Sequence, residues 1–247
     1  MSQHQPVDFG LRKVSAEEKT KLVGGVFERV AERYDVMNDL MSLGTHRLFK
    51  RMTVEMSGVR PGMRVLDLAG GTGDLAALFA GAVGDSGTVV LADINAGMME
   101  VGRARLLDRG LAQVDFCQTS AEALPFADAS FDCVVIGFGL RNFTDKEAAL
   151  RDIRRVLAPG GVLLVLEFSK PENPLLNSAY SLFQSLWPGM GKLVVGDADS
   201  YRYLVESIHV HPSQKALKLM IEDAGFEAVE YHNLIGGVAA IHRGVRP

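Results

Sequence analysis

The stretch Arg64-Val-Leu-Asp-Leu-Ala-Gly-Gly-Thr-Gly-Asp74 decides the fold. Its mostly apolar beginning predicts a buried strand, Gly70–Gly73 predict a tight loop, and a helix is expected from Asp74 to about residue 82. This order places bare backbone N–H groups at the carboxyl end of the strand, where ligands bind in α/β sheets. The spacing Gly71-x-Gly73-x-x-Ala76 also satisfies the dinucleotide-binding fingerprint, which by itself is a weak signal.

Strands and helices alternate along the rest of the chain. The alternation predicts an α/β fold with a doubly wound, mostly parallel seven-stranded sheet and an antiparallel hairpin at its edge. We expect further strands at 88–93, 114–118, 131–136 and 162–168, helices at 96–109, 146–157 and 213–224, and a hairpin formed by 228–234 and 238–245.

Three parts are expected in the chain. Residues 1–21 are polar and predicted to be a flexible tail, and residues 22–57 to form covering helices. Residues 58–247 form the sheet domain, interrupted at about 171–212 by an insertion. The insertion is expected to hold one helix with a broad apolar face at 175–187, followed by a polar stretch. The first covering helix should bury one face, made of Val23, Val26, Phe27, Val30, Tyr34 and Met37.

Composition limits the function classes. The 247 residues carry 26 basic and 30 acidic side chains and are 47% hydrophobic. These values predict a compact globular protein without the basic surface that nucleic acid requires. The beginning of the chain lacks a signal-like apolar run, and no run approaches the roughly 18 residues of a membrane span. We expect a cytoplasmic protein, with reduced thiols at Cys117 and Cys133 and no metal site.

The charges around the glycine loop favour one ligand over another. Asp67 and Asp74 flank the loop, and no Lys or Arg stands between Arg64 and Arg103. A pyrophosphate would be repelled there by about 1 kcal/mol per close charge pair even in bulk water. S-adenosylmethionine carries a sulfonium and an ammonium group and no phosphate. We therefore expect S-adenosylmethionine, rather than a dinucleotide, as the methyl-donor co-substrate.

Later positions repeat the order of a class I methyltransferase. Asp93 ends the second strand, about 20 residues past the loop, where a carboxylate can bind ribose hydroxyls. The alternative is a helix N-cap, which Asn95 could provide instead. Ser120 and Ala121 follow the third strand and can border the adenine. Together with Phe131-Asp132 and Pro159-Gly-Gly161, they predict a class I methyltransferase with a Rossmann-like fold.

From about Val23 to Arg246 the sequence resembles the quinone C-methyltransferases of ubiquinone and menaquinone biosynthesis. The resemblance implies that the donor site includes, with the loop residues Gly70, Gly71 and Gly73, the residues Thr72, Asp93, Ser120, Ala121 and Gly137. Asn is common in the family where Ser120 stands, and Ser where Gly137 stands, which affects donor affinity more than identity. The motifs that carry the resemblance are residues 27–47, Leu66-Asp-Leu-Ala-Gly-Gly-Thr-Gly-Asp74, Phe138-Gly-Leu-Arg-Asn142, Leu166-Glu-Phe-Ser169, Asp197-Ala-Asp-Ser-Tyr-Arg-Tyr203, Tyr231-His-Asn-Leu234 and His242-Arg-Gly244.

The resemblance also implies the chemistry, methylation of a ring carbon on a prenylated hydroquinone after ionisation of a phenol whose ordinary pKa is near 10. We predict Arg141 as the electrostatic stabiliser of the phenolate and Asn142 as its orienting partner. The alternative is a structural Arg141 paired with Asp145 or Glu147. The candidates for taking the proton are His46, Tyr201 and His209.

The prenyl tail requires an apolar channel. The apolar faces of 23–37 and 175–187 can supply one and can touch the inner membrane face transiently. We expect a prenylated hydroquinone and a membrane surface as partners and no nucleic acid, and a homodimer stays open. Two alternatives remain, a methyltransferase of the same fold acting on a soluble small molecule and a donor-binding module without catalysis.

Overall fold

The computed structural model describes residues 6–30, 38–39, 41–194 and 196–247. The elements in chain order are β1 (Val7–Phe9), β2 (Arg12–Val14), α1 (Ala16–Val30), α2 (His46–Ser57), β3 (Arg64–Leu68), α3 (Asp74–Val83), β4 (Thr88–Asp93), α4 (Ala96–Asp108), β5 (Val114–Gln118), β6 (Phe131–Gly137), a 3-10 turn (Leu140–Asn142), α5 (Lys146–Val156), β7 (Leu157–Phe168), α6 (Pro174–Val194), α7 (Asp199–Val210), α8 (Gln214–Asp223), β8 (Glu227–Leu234), a second 3-10 turn (Ile235–Gly237) and β9 (Ala239–Val245).

Seven strands form one sheet in the order β5-β4-β3-β6-β7-β9-β8. The pairs from β5 to β7 are parallel, and β9 is antiparallel to both of its neighbours, β7 and β8. This arrangement confirms the predicted sheet and its hairpin, with β8 as the edge strand. The chain crosses from β5 over to β6 beside β3, so the carboxyl ends of β3 and β6 lie at the switch point of the sheet, the usual ligand site.

Continuous apolar runs place the central strands between two helical layers. Val134, Val135, Leu163 and Leu164 are fully buried, as expected for strands covered on both faces. One layer contains α2, α3, α4, α6 and α7, and the other contains α5 and α8. The strand β7 begins five residues earlier than predicted, because Leu157 already pairs with Phe131 before an irregularity in the register.

The prediction of an irregular tail over residues 1–21 is wrong for its described part. β1 and β2 pair as a short antiparallel hairpin, and α1 begins at Ala16. Phe9 anchors the hairpin, because its ring is buried and stacks on Tyr203 with 4.4 Å between the centroids. Of the predicted buried helix face, Tyr34, Met37 and the side chain of Val30 lie outside the described residues.

The insertion contains two helices, and the sequence predicted only one. The second, α7, was interpreted as part of a polar stretch. Asp197 begins it by accepting hydrogen bonds from the N–H groups of Asp199 and Ser200. The inner face of α7 buries Tyr201, Tyr203, Leu204 and Ile208.

The sequence predicts one broad apolar face for α6. In the structure the apolar residues of this helix are divided between the protein core and the solvent-exposed surface. Tyr180 and Trp187 are buried beneath it, whereas Leu175, Leu182 and Leu186 are exposed. Trp187 is therefore a core residue, which corrects its inclusion in the predicted membrane-contacting face. None of the helices in the described ranges combines the length and apolar character that crossing a bilayer requires.

Candidate active site

A cavity of about 360 Å³ lies where the sequence placed the ligand, at the carboxyl ends of β3, β4 and β6. Helix α1 forms its roof through residues such as Thr20, Val23 and Phe27. The walls comprise residues from five segments: Leu68, Ala69 and Gly71; Asp93, Ile94, Asn95 and Met98; Thr119, Ser120, Ala121 and Glu122; Gly137, Phe138 and Gly139; and Asn142, Phe143, Thr144 and Asp145.

The glycine loop forms the floor of this cavity in a conformation that requires glycine. Gly71 and Gly73 have φ angles of 53° and 81°, in the left-handed region. A Cβ atom at Gly102 of α4 would lie 2.8 Å from the carbonyl oxygen of Gly71. The loop is thus pressed against α4, and its backbone is brought to the ligand site without intervening side chains.

Asp93 joins the ends of two adjacent strands. Its Oδ2 accepts a hydrogen bond from Gly71 N at 2.9 Å and its Oδ1 accepts one from Asn95 N at 2.8 Å. Burial raises the pKa of Asp93, and these backbone donors oppose the rise. The alternative role of helix N-cap belongs to Asn95, whose side chain accepts from Met98 N at 2.9 Å. Asp93 therefore remains available as an acceptor in the cavity wall.

All the charged side chains among the described residues of the cavity wall are acidic. Glu17, Asp93, Glu122 and Asp145 contribute four carboxyl groups, and no Lys or Arg occurs among the described residues that line it. Beneath the floor, burial raises the pKa of Asp67 to about 7. A pyrophosphate would find no cation here, whereas a sulfonium and an ammonium group would find carboxylates. The donor set fits S-adenosylmethionine.

The other predicted donor residues divide into two groups. Ser120, Ala121 and Gly137 line the cavity. A Cβ atom at Gly137 would lie 2.5 Å from Leu75 Cδ1, so Leu75 occupies the space that a serine side chain would take. The remaining three, Gly70, Thr72 and Gly73, shape the loop but are not in the cavity wall.

Two residues with a strained backbone stand at the ends of two adjacent strands, β3 and β6. Ala69 after β3 and Phe138 after β6 have φ angles of 57° and 58°, although neither is glycine. Both residues line the cavity. Such conformations cost of order 1–3 kcal/mol each and are typical of functional sites.

Arg141 is placed differently from either sequence expectation. Its Nη1 donates to Glu167 Oε1 at 2.6 Å, both side chains are 2% exposed, and neither Asp145 nor Glu147 pairs with it. Glu167 Oε2 also accepts from Arg141 N at 3.1 Å. Glu167, and not the predicted Asn142, is thus the side chain that pairs with the guanidinium. Arg141 lies behind the cavity wall, with its guanidinium 5.7 Å from the ring of Phe168.

Asn142 lies in the cavity wall itself. Its amide oxygen accepts a hydrogen bond from the hydroxyl of Tyr203 at 3.0 Å. Burial raises the pKa of Tyr203, Arg141 opposes the rise, and Glu167 adds to it. The cavity is therefore connected through Asn142 and Tyr203 to the surroundings of the buried ion pair.

The three predicted proton acceptors do not meet at the cavity. His46 is buried in α2, where its Nδ1 lies 2.8 Å from Ser42 Oγ. Tyr201 is fully buried against Gly191, and His209 is exposed in the last turn of α7. These three residues were predicted from their residue type alone. The orientation of their helices directs their side chains away from the cavity.

Glu167 is the functional candidate that sequence reasoning missed. The signal was present, because an acidic residue interrupts the apolar run Leu163-Leu-Val-Leu166, and acids are almost never fully buried without a partner. An acid inside a buried parallel strand should have prompted a search for a cation at the end of the neighbouring strand. Arg141 follows that strand, β6.

Similarity to known proteins agrees with this geometry. A model of the ubiE/COQ5 methyltransferase family matches residues 12–246. A ubiquinone/menaquinone biosynthesis C-methyltransferase UbiE from Cellvibrio japonicus is 58% identical over 100% of both chains. A UbiE protein from Ectopseudomonas mendocina is 59% identical over 99% of this chain and 96% of its own.

Solved structures show the same fold at low identity. A SAM-dependent methyltransferase from Aquifex aeolicus has a TM-score of 0.62 and 18% identity, covering 85% of this chain and 98% of its own. The cyclase SpnF has a TM-score of 0.66 and 19% identity, covering 91% and 95%. These structures show that the chain shares the class I methyltransferase fold. Its family and its activity are shown by the sequence relatives. The chain belongs to the ubiE/COQ5 methyltransferase family and is an S-adenosylmethionine-dependent C-methyltransferase.

Proposed function

We propose that this chain methylates a ring carbon of prenylated hydroquinones in ubiquinone and menaquinone biosynthesis. Relatives of 57–59% identity over nearly the full chain carry the function in their names. The observation that carries the proposal is the acid-lined cavity ending at Phe138 and Asn142, with a buried cation behind that wall. This combination suits a cationic donor beside an acceptor that develops negative charge.

The donor is assigned to the cavity between the glycine loop and α1. Asp93 is proposed to accept the ribose hydroxyls, and Ser120 and Ala121 to border the adenine. The cavity acids are proposed to attract the sulfonium and ammonium groups. S-adenosylmethionine, when bound, supplies an electrophilic methyl group with a good leaving group. The task left to the protein is to align the acceptor carbon and to favour its phenolate.

Arg141 is proposed to favour the phenolate. Burial raises the pKa of the neighbouring phenols of Tyr180 and Tyr203, and Arg141 opposes that rise at both of them. At a substrate phenol in the same region, the positive charge of Arg141 would act in the same direction and favour the phenolate. Glu167 fixes the guanidinium through its bond at 2.6 Å, so Glu167 is a positioning residue and Arg141 the electrostatic one. Asn142 is proposed to contact the ring from the cavity wall.

The membrane side of the proposal concerns the outer face of α6. Four leucines follow one another at steps of seven, four and seven residues and therefore lie along one line of the helix. Their exposure is 83% for Leu175, 70% for Leu182, 55% for Leu186 and 88% for Leu193. A bilayer is the proposed occupant, because the substrate's polyprenyl tail resides there. With a net charge of −4, binding should depend little on anionic lipid.

Turnover on matched acceptors tests the function. Purified protein, S-adenosylmethionine and either demethylmenaquinol or 2-methoxy-6-polyprenyl-benzoquinol should give methylated products, and analogues without the prenyl tail should react more slowly. Equal turnover on soluble phenols would favour the alternative of a soluble substrate. Donor binding without any methyl transfer would favour a binding module. Complementation of strains lacking each quinone decides whether one pathway or both are served.

A further inference from the structure

The inner face of α6 contains polar groups without hydrogen-bond partners. Tyr180 Oη, Gln184 Nε2 and Trp187 Nε1 are buried atoms in this condition, and their residues are 8%, 9% and 0% exposed. Steps of four and three residues place all three on one side of the helix, opposite the leucine line. Buried polar groups are nearly always paired in native proteins. Three neighbouring exceptions on one helix face therefore indicate a missing partner.

The opposite wall carries a fourth such group. Arg141 Nε also lacks a partner, although the same guanidinium binds Glu167 through Nη1. The guanidinium lies 5.7 Å from the ring of Phe168, and Phe168 meets Trp187 with 6.4 Å between the ring centroids, so the ion pair and the inner face of α6 share one buried region. Polar atoms from two elements, α6 and the 3-10 turn after β6, thus lie around Phe168.

Aromatic rings connect this buried region to the donor cavity. Phe138 lines the cavity and packs on Phe168 with 4.5 Å between centroids, and Phe168 meets Trp187 at 6.4 Å. Tyr180 and Phe183 contact Trp187 at 6.3 Å and 5.8 Å. A planar aromatic guest entering between α6 and Phe168 would find ring faces and edges around it.

A proline interrupts the hydrogen bonds of α6 next to its inner face. Pro188 lies inside α6 and has no N–H to donate to the carbonyl of Gln184, and Gly189 follows it. The helix can therefore bend at this point more easily than an uninterrupted α-helix can. Such a movement would open the region beneath Tyr180 and Gln184.

We infer that Tyr180 and Gln184 bind the ring oxygens of the acceptor hydroquinone and determine its recognition. This inference rests on the proposed function and deepens it by naming the head-group-binding residues. The hydroxyl of Tyr180 and the amide of Gln184 are suited to the two oxygens of a hydroquinone, which both donate and accept hydrogen bonds. Trp187 and Phe168 contact the ring itself. The helix α6 then has two functions. Its exposed leucines contact the bilayer that holds the prenyl tail, and its inner polar groups bind the hydroquinone ring.

Two variants test the assignment, Tyr180→Phe and Gln184→Leu. Burial raises the pKa of Tyr180 and the nearby Gln184 side chain opposes this rise, but neither polar atom has a hydrogen-bond partner of ordinary geometry, so the melting temperature of each variant should change little. Each should lower kcat/KM for the quinol by about tenfold, the effect of one lost hydrogen bond, with the dissociation constant of S-adenosylmethionine within about twofold of wild type. Tyr231→Phe, on the edge strand β8, and Ser185→Ala, on the exposed side of α6, are matched controls expected to behave as wild type.

A binding measurement separates this inference from the methylation itself. Trp187 is the only tryptophan of the chain, so its quenching by para-naphthoquinone reports ring binding without turnover. Wild type should show saturable quenching that dilution reverses, and Tyr180→Phe and Gln184→Leu should weaken it about tenfold. No saturable quenching, unchanged affinity in both variants, or a lower melting temperature in both would overturn the inference. Specific quenching without methyl transfer would instead contradict the proposed function and leave the ring site standing.

Discussion

The buried pair of Arg141 and Glu167 gives a quantitative prediction for the variants Arg141→Met, Glu167→Met and their combination. Both side chains are 2% exposed and their charged atoms are 2.6 Å apart. Removing one partner leaves an uncompensated buried charge, which costs about 3–5 kcal/mol of unfolding free energy. Two residues in contact should therefore show a large coupling energy.

The hydrogen bonds of the pair indicate where the cost of each single variant falls between about 3 and 5 kcal/mol. Glu167 also accepts from Arg141 N at 3.1 Å and from Phe168 N at 2.9 Å. Glu167→Met would leave both N–H groups without an acceptor and the buried guanidinium without its counter-charge, with only the carbonyl of Phe138 still accepting from Nη1, which predicts a cost near 5 kcal/mol. Arg141→Met leaves the two backbone bonds to Glu167 in place, which predicts about 3 kcal/mol. The double variant should cost less than the sum of the single variants by about 3 kcal/mol.

Urea denaturation at constant pH measures these values through the midpoint at an unchanged slope. Additivity within about 0.5 kcal/mol would refute the reasoning that the two charges compensate one another. The double variant also isolates the catalytic role, because it avoids a lone buried charge. Its kcat should fall roughly a hundredfold if Arg141 stabilises the phenolate, with unchanged affinity for S-adenosylmethionine. A double variant with wild-type kcat would make the pair structural.

Three further predictions follow from other parts of the structure. Asp93→Ala should weaken S-adenosylmethionine binding at least tenfold, about 1.4 kcal/mol, in calorimetry, whereas Asp115→Ala on the exposed part of β5 should not. Lys19 in α1 donates to the carbonyl of Phe143 at 2.7 Å, and burial lowers its pKa from 10.5 to about 8. Because the unfolded chain keeps this proton up to 10.5, wild-type stability relative to Lys19→Met should rise with pH between 8 and 10.5, and a difference that is flat or falls would contradict the assignment. Leu182→Glu combined with Leu186→Glu should abolish co-sedimentation with neutral vesicles, and Leu219→Glu, on the exposed side of α8, should leave it unchanged; equal loss in both would exclude a specific role of α6.

Local patterns predicted the sheet and its ligand loop because their causes are local. Alternating apolar runs specify strands, and the bare backbone of Gly71 and Gly73 specifies the ligand end of the first of them. The family resemblance was confirmed by the match over residues 12–246. Asp93, Ser120, Ala121 and Gly137 lie together in the cavity wall, because the strand ends of a parallel sheet converge at one edge, and their contact with the donor stays a prediction.

The errors came from contacts between distant parts of the chain. The hairpin of β1 and β2 is held by Phe9 against Tyr203, almost 200 residues away, and no local pattern carries that contact. The partner of Arg141 was sought among nearby acids, whereas sheet pairing brings Glu167 beside it. The directions of Tyr201 and His209 depend on how α7 is rotated against the sheet. Such rotation is fixed by packing, which the sequence pattern of a polar stretch did not reveal.

The position of the transferred methyl group tests the central claim most directly. Purified protein is incubated with S-adenosylmethionine carrying a deuterated methyl group and with demethylmenaquinol in vesicles, and the product is examined by mass spectrometry and NMR. The account predicts one labelled methyl group on a ring carbon of the quinol, formed in wild type and reduced about tenfold or more in Asp93→Ala at limiting donor. A labelled methyl group on a quinol oxygen, or no labelled product from a protein that binds the donor, would contradict it.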